Sequence, residues 1–253
     1  MVNYSANISW LFTEEPDIKK RFELAKQKGF KAVEIGLPYD ENLQQLKEAK
    51  EKSGLKVVLI NSGCTKNLGN AANSESCDAF VKELDLAISY ANALDCKIIH
   101  LMAGRVKSND LVKARSSFIS NLKVASAKLS ISGITGVIEP INKYDVPGYF
   151  LNDFYQAIEI LNEVNLPNIK LLFDFYHQQQ MAGGLMHKFK AANKLIGHVQ
   201  VSQVPGRKEP FSEGEINYNY IMKCVAESEY CGWVGLEYKP SVHTNKTLEW
   251  FAA

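Results

Sequence analysis

The sequence predicts a single (β/α)₈ barrel, spanning residues 1–253 as one domain. Three observations predict it. Short apolar runs alternate with longer amphipathic segments along the whole chain. The alternation gives eight strands and eight helices. The length, 253 residues, is that of one such barrel, about 250 residues. Strict alternation favours parallel strands joined by helical crossovers. A doubly wound sheet is the structural rival, and eight consecutive βα units weigh against it.

The elements follow in order. Tyr4–Ile8 reads as the first strand, and Asp17–Lys28 as the first helix, with Pro16 suited to its opening turn. Ala32–Gly36 and the helical pattern Glu41–Ser53 form the second unit. Gly29 and Gly54 follow these two helices, where glycine relieves a left-handed cap. Leu55–Asn61 is a buried-type run, and Ser74–Leu94 a helix that Asn73 and Ser74 would cap. The fourth and fifth units are Lys97–Met102 with Asp110–Ser130, and Gly136–Glu139 with Asn152–Val164. The last three are Ile169–Asp174 with Gly183–Lys194, Gly197–Val201 with Tyr218–Ser228, and Trp233–Glu237 with Thr244–Trp250. No Pro/Gly/Ser-rich linker or charge block divides them.

Composition narrows the function classes. Hydrophobic residues make up 46% and charged residues 23%, enough apolar side chain for a full core. A net charge of +1 gives no basic field for a nucleic-acid partner. The five cysteines, Cys64, Cys77, Cys96, Cys224 and Cys231, form no CxxC pair and read as reduced thiols of a cytoplasmic protein. The start MVNYSANISW lacks the pattern of a signal peptide, and no apolar stretch approaches the ~18 residues of a membrane span. Neither a dinucleotide fingerprint nor a Walker A loop occurs, so no nucleotide cofactor is expected.

In such a barrel the active site lies at the carboxyl ends of the strands. The last four strands each close on one oxygen-bearing side chain: Glu139, Asp174, Gln200 and Glu237. Their spacings of 35, 26 and 37 residues each fit one βα unit. Singly, each is as well read as a solvated or salt-bridged strand end. Together they bring three carboxylates to one mouth, where they repel and are costly to bury. A divalent cation resolves both problems, and an all-oxygen set suits Mg²⁺ or Mn²⁺. Two of the chain's four arginines, Arg105 and Arg207, follow strand ends and are candidates for holding a substrate carboxylate, or for bracing loops. His177, three residues past Asp174, is a candidate to hydrogen-bond substrate or to orient a ligand, with a packing histidine as the plainer alternative. Asn7 and Asn142 are weaker amide candidates, and Trp10, Leu11 and Phe12 would form an apolar wall or pack a loop. His100 points from the fourth strand into the same region, but a histidine inside a strand reads more readily as a satisfied core residue.

At these residues the sequence resembles the hydroxypyruvate isomerase family, among the sugar isomerase and epimerase barrels related to xylose isomerase and endonuclease IV. The matching stretches are SANISWLF (5–12), HLMAGR (100–105), IEPIN (138–142), FDFYH (173–177), GHVQ (197–200), PGRKEP (205–210), GEINY (214–218) and GLEYKP (235–240). They run in order over nearly the whole chain. PGR followed by GEINY, with glutamine on strand seven, is a fairly specific combination, because many related epimerases carry histidine there. The resemblance implies reversible conversion of hydroxypyruvate to 2-hydroxy-3-oxopropanoate. It implies Glu139 and Glu237 as the proton donor/acceptor pair, and Glu139, Asp174, Gln200 and Glu237 as the ion-binding set. The chemistry would pass through an enediolate, with Arg105 or Arg207 on the substrate carboxylate, His177 and Asn7 at the substrate, and a small hydroxy/oxo acid as substrate, with neither nucleic acid nor membrane as partner. A ketose 3-epimerase or other sugar isomerase would use the same carboxylate pair. An abasic-site nuclease would need a richer zinc set and a basic surface. A non-catalytic carbohydrate-binding barrel would not need all four strand ends filled.

Overall fold

In the computed structural model, which describes residues 2–63, 66–75 and 77–252, eight parallel strands close into a barrel. They are β1 (Asn3–Asn7), β2 (Ala32–Ile35), β3 (Lys56–Asn61), β4 (Ile98–His100), β5 (Thr135–Ile138), β6 (Ile169–Asp174), β7 (Ile196–Val201) and β8 (Trp233–Leu236). Each pairs with the next, and β8 returns to β1 with Tyr4 opposite Val234 and Ala6 opposite Leu236. The expected fold class is borne out, with strand ends displaced by at most two residues.

Outside the strands lie α1 (Ile18–Gln27), α2 (Leu43–Ser53), α3 (Cys77–Ala93), α4 (Leu111–Ile131), α5 (Phe154–Val164), α6 (Phe175–Met181), α7 (Leu185–Ala191), α8 (Tyr218–Ala226) and α9 (Thr244–Thr247). Short polar side chains start them. Asp17, Asn42, Asp153 and Asn217 each accept from a backbone N–H of their helix's first turn. Pro16 therefore precedes the cap of α1 rather than opening the helix. Gly54 takes the left-handed conformation at φ 70° and returns its N–H to the Lys50 carbonyl. Asn73 does not cap α3, which begins four residues later; it accepts from the Glu75 amide and closes the turn ahead. Among the described residues Cys96, Cys224 and Cys231 are free thiols, while Cys64 and the side chain of Cys77 lie outside them. No described helix is long and apolar enough to cross a membrane.

Strand periodicity then decides what faces inward. Phe173 packs its ring against Phe154 of α5 and Phe189 of α7, so it points outward. Its neighbours Leu172 and Asp174 must face the barrel axis. Leu172 meets Leu59 and Val137 there, with half-buried Ile98 against them. Two residues further along the same four strands, in the same phase, come Asn61, His100, Glu139 and Asp174. An apolar plug thus fills the barrel below, and the next layer toward the carboxyl ends is polar. In β1, β7 and β8 the same step of two leads from Ser5, His198 and Gly235 to Asn7, Gln200 and Glu237.

Candidate active site

The polar layer opens into a cavity of about 670 Å³. Trp10, Leu68, Met102 and Tyr176 supply apolar wall, and Glu139, Glu237 and Asp145 line it with carboxylates. Its cations are Arg207 and Lys239.

Asp174 ends β6 and at once caps α6, with one carboxylate oxygen accepting the Tyr176 amide at 2.8 Å. That bond leaves Oδ2 for the site, 3.5 Å from Arg207 and 3.7 Å from His177 Nε2. Burial pushes the Asp174 carboxyl up to about 6, against the pull of Arg207 and the backbone N–H groups of α6. Glu139 follows β5 and is buried, and its Oε1 has no hydrogen-bond partner. Burial, then the charges of Asp174 and Glu237, hold it well above the usual carboxylate range. Glu237 follows β8, accepts from Asn7 at 2.9 Å and pairs with Arg207. Burial pushes it up to about 7 despite that pairing.

Arg207 sits at φ 55° in the loop after β7. Its guanidinium lies over Trp10 at 4.7 Å and Tyr176 at 5.3 Å, a stacked clamp that aims it at Asp174 and Glu237. Trp10 is therefore wall, whereas Leu11 and Phe12 are buried in the core and pack the loop.

The proton on His177 can be placed from its neighbours. Asn142 turns its side-chain oxygen to the amides of Tyr144 and Asp145, both at 3.0 Å. Its NH₂ therefore faces His177 Nδ1 at 2.7 Å. Nδ1 must accept, so neutral His177 carries its proton on Nε2, 3.7 Å from both Glu139 and Asp174. Burial and Arg207 hold the ring well below its ordinary pKa, which keeps it neutral. Glu139, Asp174 and His177 offer ligand-type atoms within 4.8 Å of one another, a buried group able to bind a metal. With Nδ1 accepting, His177 serves such a site as a hydrogen-bond donor rather than a ligand.

The structure brings Glu139, Asp174, His177, Arg207 and Glu237 together, with Gln200 in register beside Asp174. Two expectations need correction. Arg105 is exposed and lines a neighbouring cleft with Lys66, Asn67 and Lys107, because its backbone is tied to Asn67 and Tyr149. Asn7 is buried and outside the cavity lining, with its NH₂ on Glu237 and Glu34 and its oxygen on the Ser9 amide. His100 also departs from the satisfied core residue: it lines the cavity, Nδ1 lies 3.6 Å from Glu139, and Nε2 has no partner. Burial and the nearby His198 lower it to about 3. Glu34 was missed altogether. Its signal was a lone charge inside the apolar run Ala-Val-Glu-Ile of β2.

Residues 22–253 match the xylose isomerase-like TIM barrel family. A Danio rerio protein with the provisional name hydroxypyruvate isomerase is 43% identical over 98% of this chain and 94% of its own length. The chain belongs to the hydroxypyruvate isomerase family. An Escherichia coli K12 relative named hydroxypyruvate isomerase is 36% identical over 99% of this chain and 98% of its own. A solved structure described as an AP endonuclease, family 2, from Brucella melitensis superposes with TM-score 0.96 at 37% identity, covering 100% of this chain and 98% of that one.

Proposed function

We propose that the chain, as one domain over residues 1–253, catalyses the reversible isomerisation of hydroxypyruvate to 2-hydroxy-3-oxopropanoate. The observation that carries this is the pair Glu139 and Glu237 in one cavity with Arg207 and Lys239. Hydroxypyruvate bears a hydroxymethyl carbon, a ketone and a carboxylate. A proton leaves the hydroxymethyl carbon, an enediolate forms, and a proton is delivered to the former ketone carbon, while the hydroxymethyl oxygen gives up its proton to become the aldehyde and the former ketone oxygen gains one to become the hydroxyl. Glu139 and Glu237 take and return these protons; a carboxyl raised toward neutrality can do both. His177 donates from Nε2 to a substrate oxygen. Arg207 is already engaged by Asp174 and Glu237 and Arg105 lines another cleft, so Lys239 takes over the contact to the substrate carboxylate that was expected of Arg105 or Arg207.

The residues fit a divalent cation, Mg²⁺ or Mn²⁺. Buried Asp174 and half-buried Glu237 share one arginine, and the Oε1 of buried Glu139 is an orphaned acceptor. Glu139, Asp174, Gln200 and Glu237 would hold it, Gln200 through its carbonyl oxygen. A bound cation supplies positive charge where negative charge develops on the enediolate oxygens. A small hydroxy/oxo acid as substrate and a cytoplasmic location belong to the same reading.

The cavity, at about 670 Å³, also admits a ketose, which is the ground for a sugar isomerase or 3-epimerase reading. Incubation with hydroxypyruvate and a panel of ketoses in D₂O, with and without Mg²⁺ or Mn²⁺, separates the two by NMR. Deuterium entry and aldehyde formation from hydroxypyruvate support the isomerase. Turnover of ketoses alone overturns it. Full activity after exhaustive chelation removes the cation from the account.

A further inference from the structure

Glu34 lies inside β2, fully buried, one layer below the carboxylates of the site. Oε1 accepts the Ser5 hydroxyl at 2.6 Å and faces His198 Nε2 at 2.9 Å. Oε2 accepts from Gln200 Nε2 at 2.8 Å and from Asn7 Nδ2 at 3.5 Å. Gly235 of β8 makes the room: a Cβ there would come within 2.0 Å of Glu34 Oε1.

Two of these contacts reach the site. A side-chain amide donates from one side and accepts on the other. A carboxylate against the NH₂ of Gln200 turns its carbonyl oxygen away from Glu34, to the layer where its register partner Asp174 stands. Asn7 meanwhile spans from Glu34 to Glu237 with one NH₂ group. We propose that Glu34 is a positioning residue for the cation site: it sets which atom Gln200 presents and, through Asn7, holds Glu237. The inference rests on the cation reading above and adds to it a determinant from β2 that touches neither ion nor substrate.

The test is Mn²⁺ titration of the full chain, followed by electron paramagnetic resonance of the free ion, with circular dichroism melts in chelator to verify folding. E34M should weaken Mn²⁺ binding by about ten- to a hundred-fold, the usual loss for groups that orient metal ligands. G235A should do the same from another strand, because its methyl displaces the Glu34 carboxylate. E34Q should stay near wild type: its carbonyl can serve Gln200 and Asn7 while its NH₂ turns to Ser5 and His198, both able to accept. A merely structural role would lower the melting temperature of E34M and leave Mn²⁺ affinity alone. Folded E34M or G235A with wild-type affinity overturns the proposal, as does E34Q falling as far as E34M. If E34M does not fold, G235A and E34Q decide. Wild type that binds no Mn²⁺ overturns the cation reading itself and this inference with it.

Discussion

Glu139 and Glu237 differ in what stands beside them, and that difference has kinetic consequences. Glu237 has Arg207 and Asn7 on its oxygens, whereas Glu139 has an unpartnered oxygen and two neutral imidazoles nearby. Replacing either by glutamine keeps size and removes the exchangeable proton. E139Q and E237Q should each slow deuterium incorporation into hydroxypyruvate by about 10²- to 10⁴-fold, the usual worth of a positioned acid or base. Wild-type exchange by NMR in either variant would remove that residue from the proton path. The cations are separable by the same logic. Lys239 lines the cavity and Arg105 a neighbouring cleft. K239M should raise KM for hydroxypyruvate about ten-fold or more, as loss of a charge-assisted hydrogen bond does. R105M should leave it unchanged in initial-rate assays. The reverse pattern would restore Arg105 to the substrate site. At this scale the sequence was informative where a polar residue ended an apolar run, as at Glu139, Asp174 and Glu237. It was silent where the role depends on a partner far along the chain. Asn142 matters only because His177, 35 residues on, presents Nδ1 to it. Glu34 matters because Gln200, 166 residues on, leans on it.

At the scale of elements, β6 and α6 share one residue. Asp174 is the last residue of the strand and the cap of the helix, so the turn that ends β6 also orients the carboxylate. The sequence hid α6 because Phe-Tyr-His-Gln-Gln-Gln-Met has no apolar stripe of helical spacing. All of Phe175 to Gln178 is buried, so burial there carries no periodicity to read. The strands were legible for the opposite reason: parallel strands covered on both faces read as continuous apolar runs, such as Val57–Ile60. Ordinary caps can be separated from functional ones. Asp153 caps α5 by accepting the Gln156 amide at 2.9 Å and lies outside the cavity lining. D153A should cost about 0.5–2 kcal/mol of stability in urea titration, with kcat unchanged. A comparable loss of kcat would mean that the barrel transmits a distant helix end to the site.

Over the whole molecule, closure brings Glu139, Asp174 and Glu237 to one end of the barrel in a chain of net charge +1. Eight strands were visible in the sequence, but that they close, and that Asn7 of β1 therefore meets Glu237 of β8, is a property of the ring. Closure also carries a stability cost with a definite pH dependence. The carboxyls of Glu139, Asp174 and Glu237 all stand above their ordinary values because burial disfavours the charged form, and for Glu139 the neighbouring charges add to it. A raised carboxyl binds more protons in the folded state than in the unfolded one, so its contribution is fully present below the ordinary value. It is lost as pH climbs through the folded value, which is about 6 for Asp174 and about 7 for Glu237. The cation-free chain should therefore lose melting temperature as pH rises from roughly 4.5 to 7. E139Q should be more stable than wild type at the upper end of this range, because the unfolded glutamate ionises freely while the buried one is held back from ionising, a cost that glutamine does not carry. Mn²⁺ or Mg²⁺ should act in the opposite sense. Binding needs the carboxylates ionised, so its stabilisation grows with pH over the same window and releases protons. At a hundred times its dissociation constant the ion should add about 2.7 kcal/mol. Scanning calorimetry across pH with chelator or Mn²⁺ checks both halves. A cation-free melting curve that rises with pH through this range, or a Mn²⁺ effect that shrinks as pH rises, would show that the clustered carboxylates are not what couples this barrel to its ion.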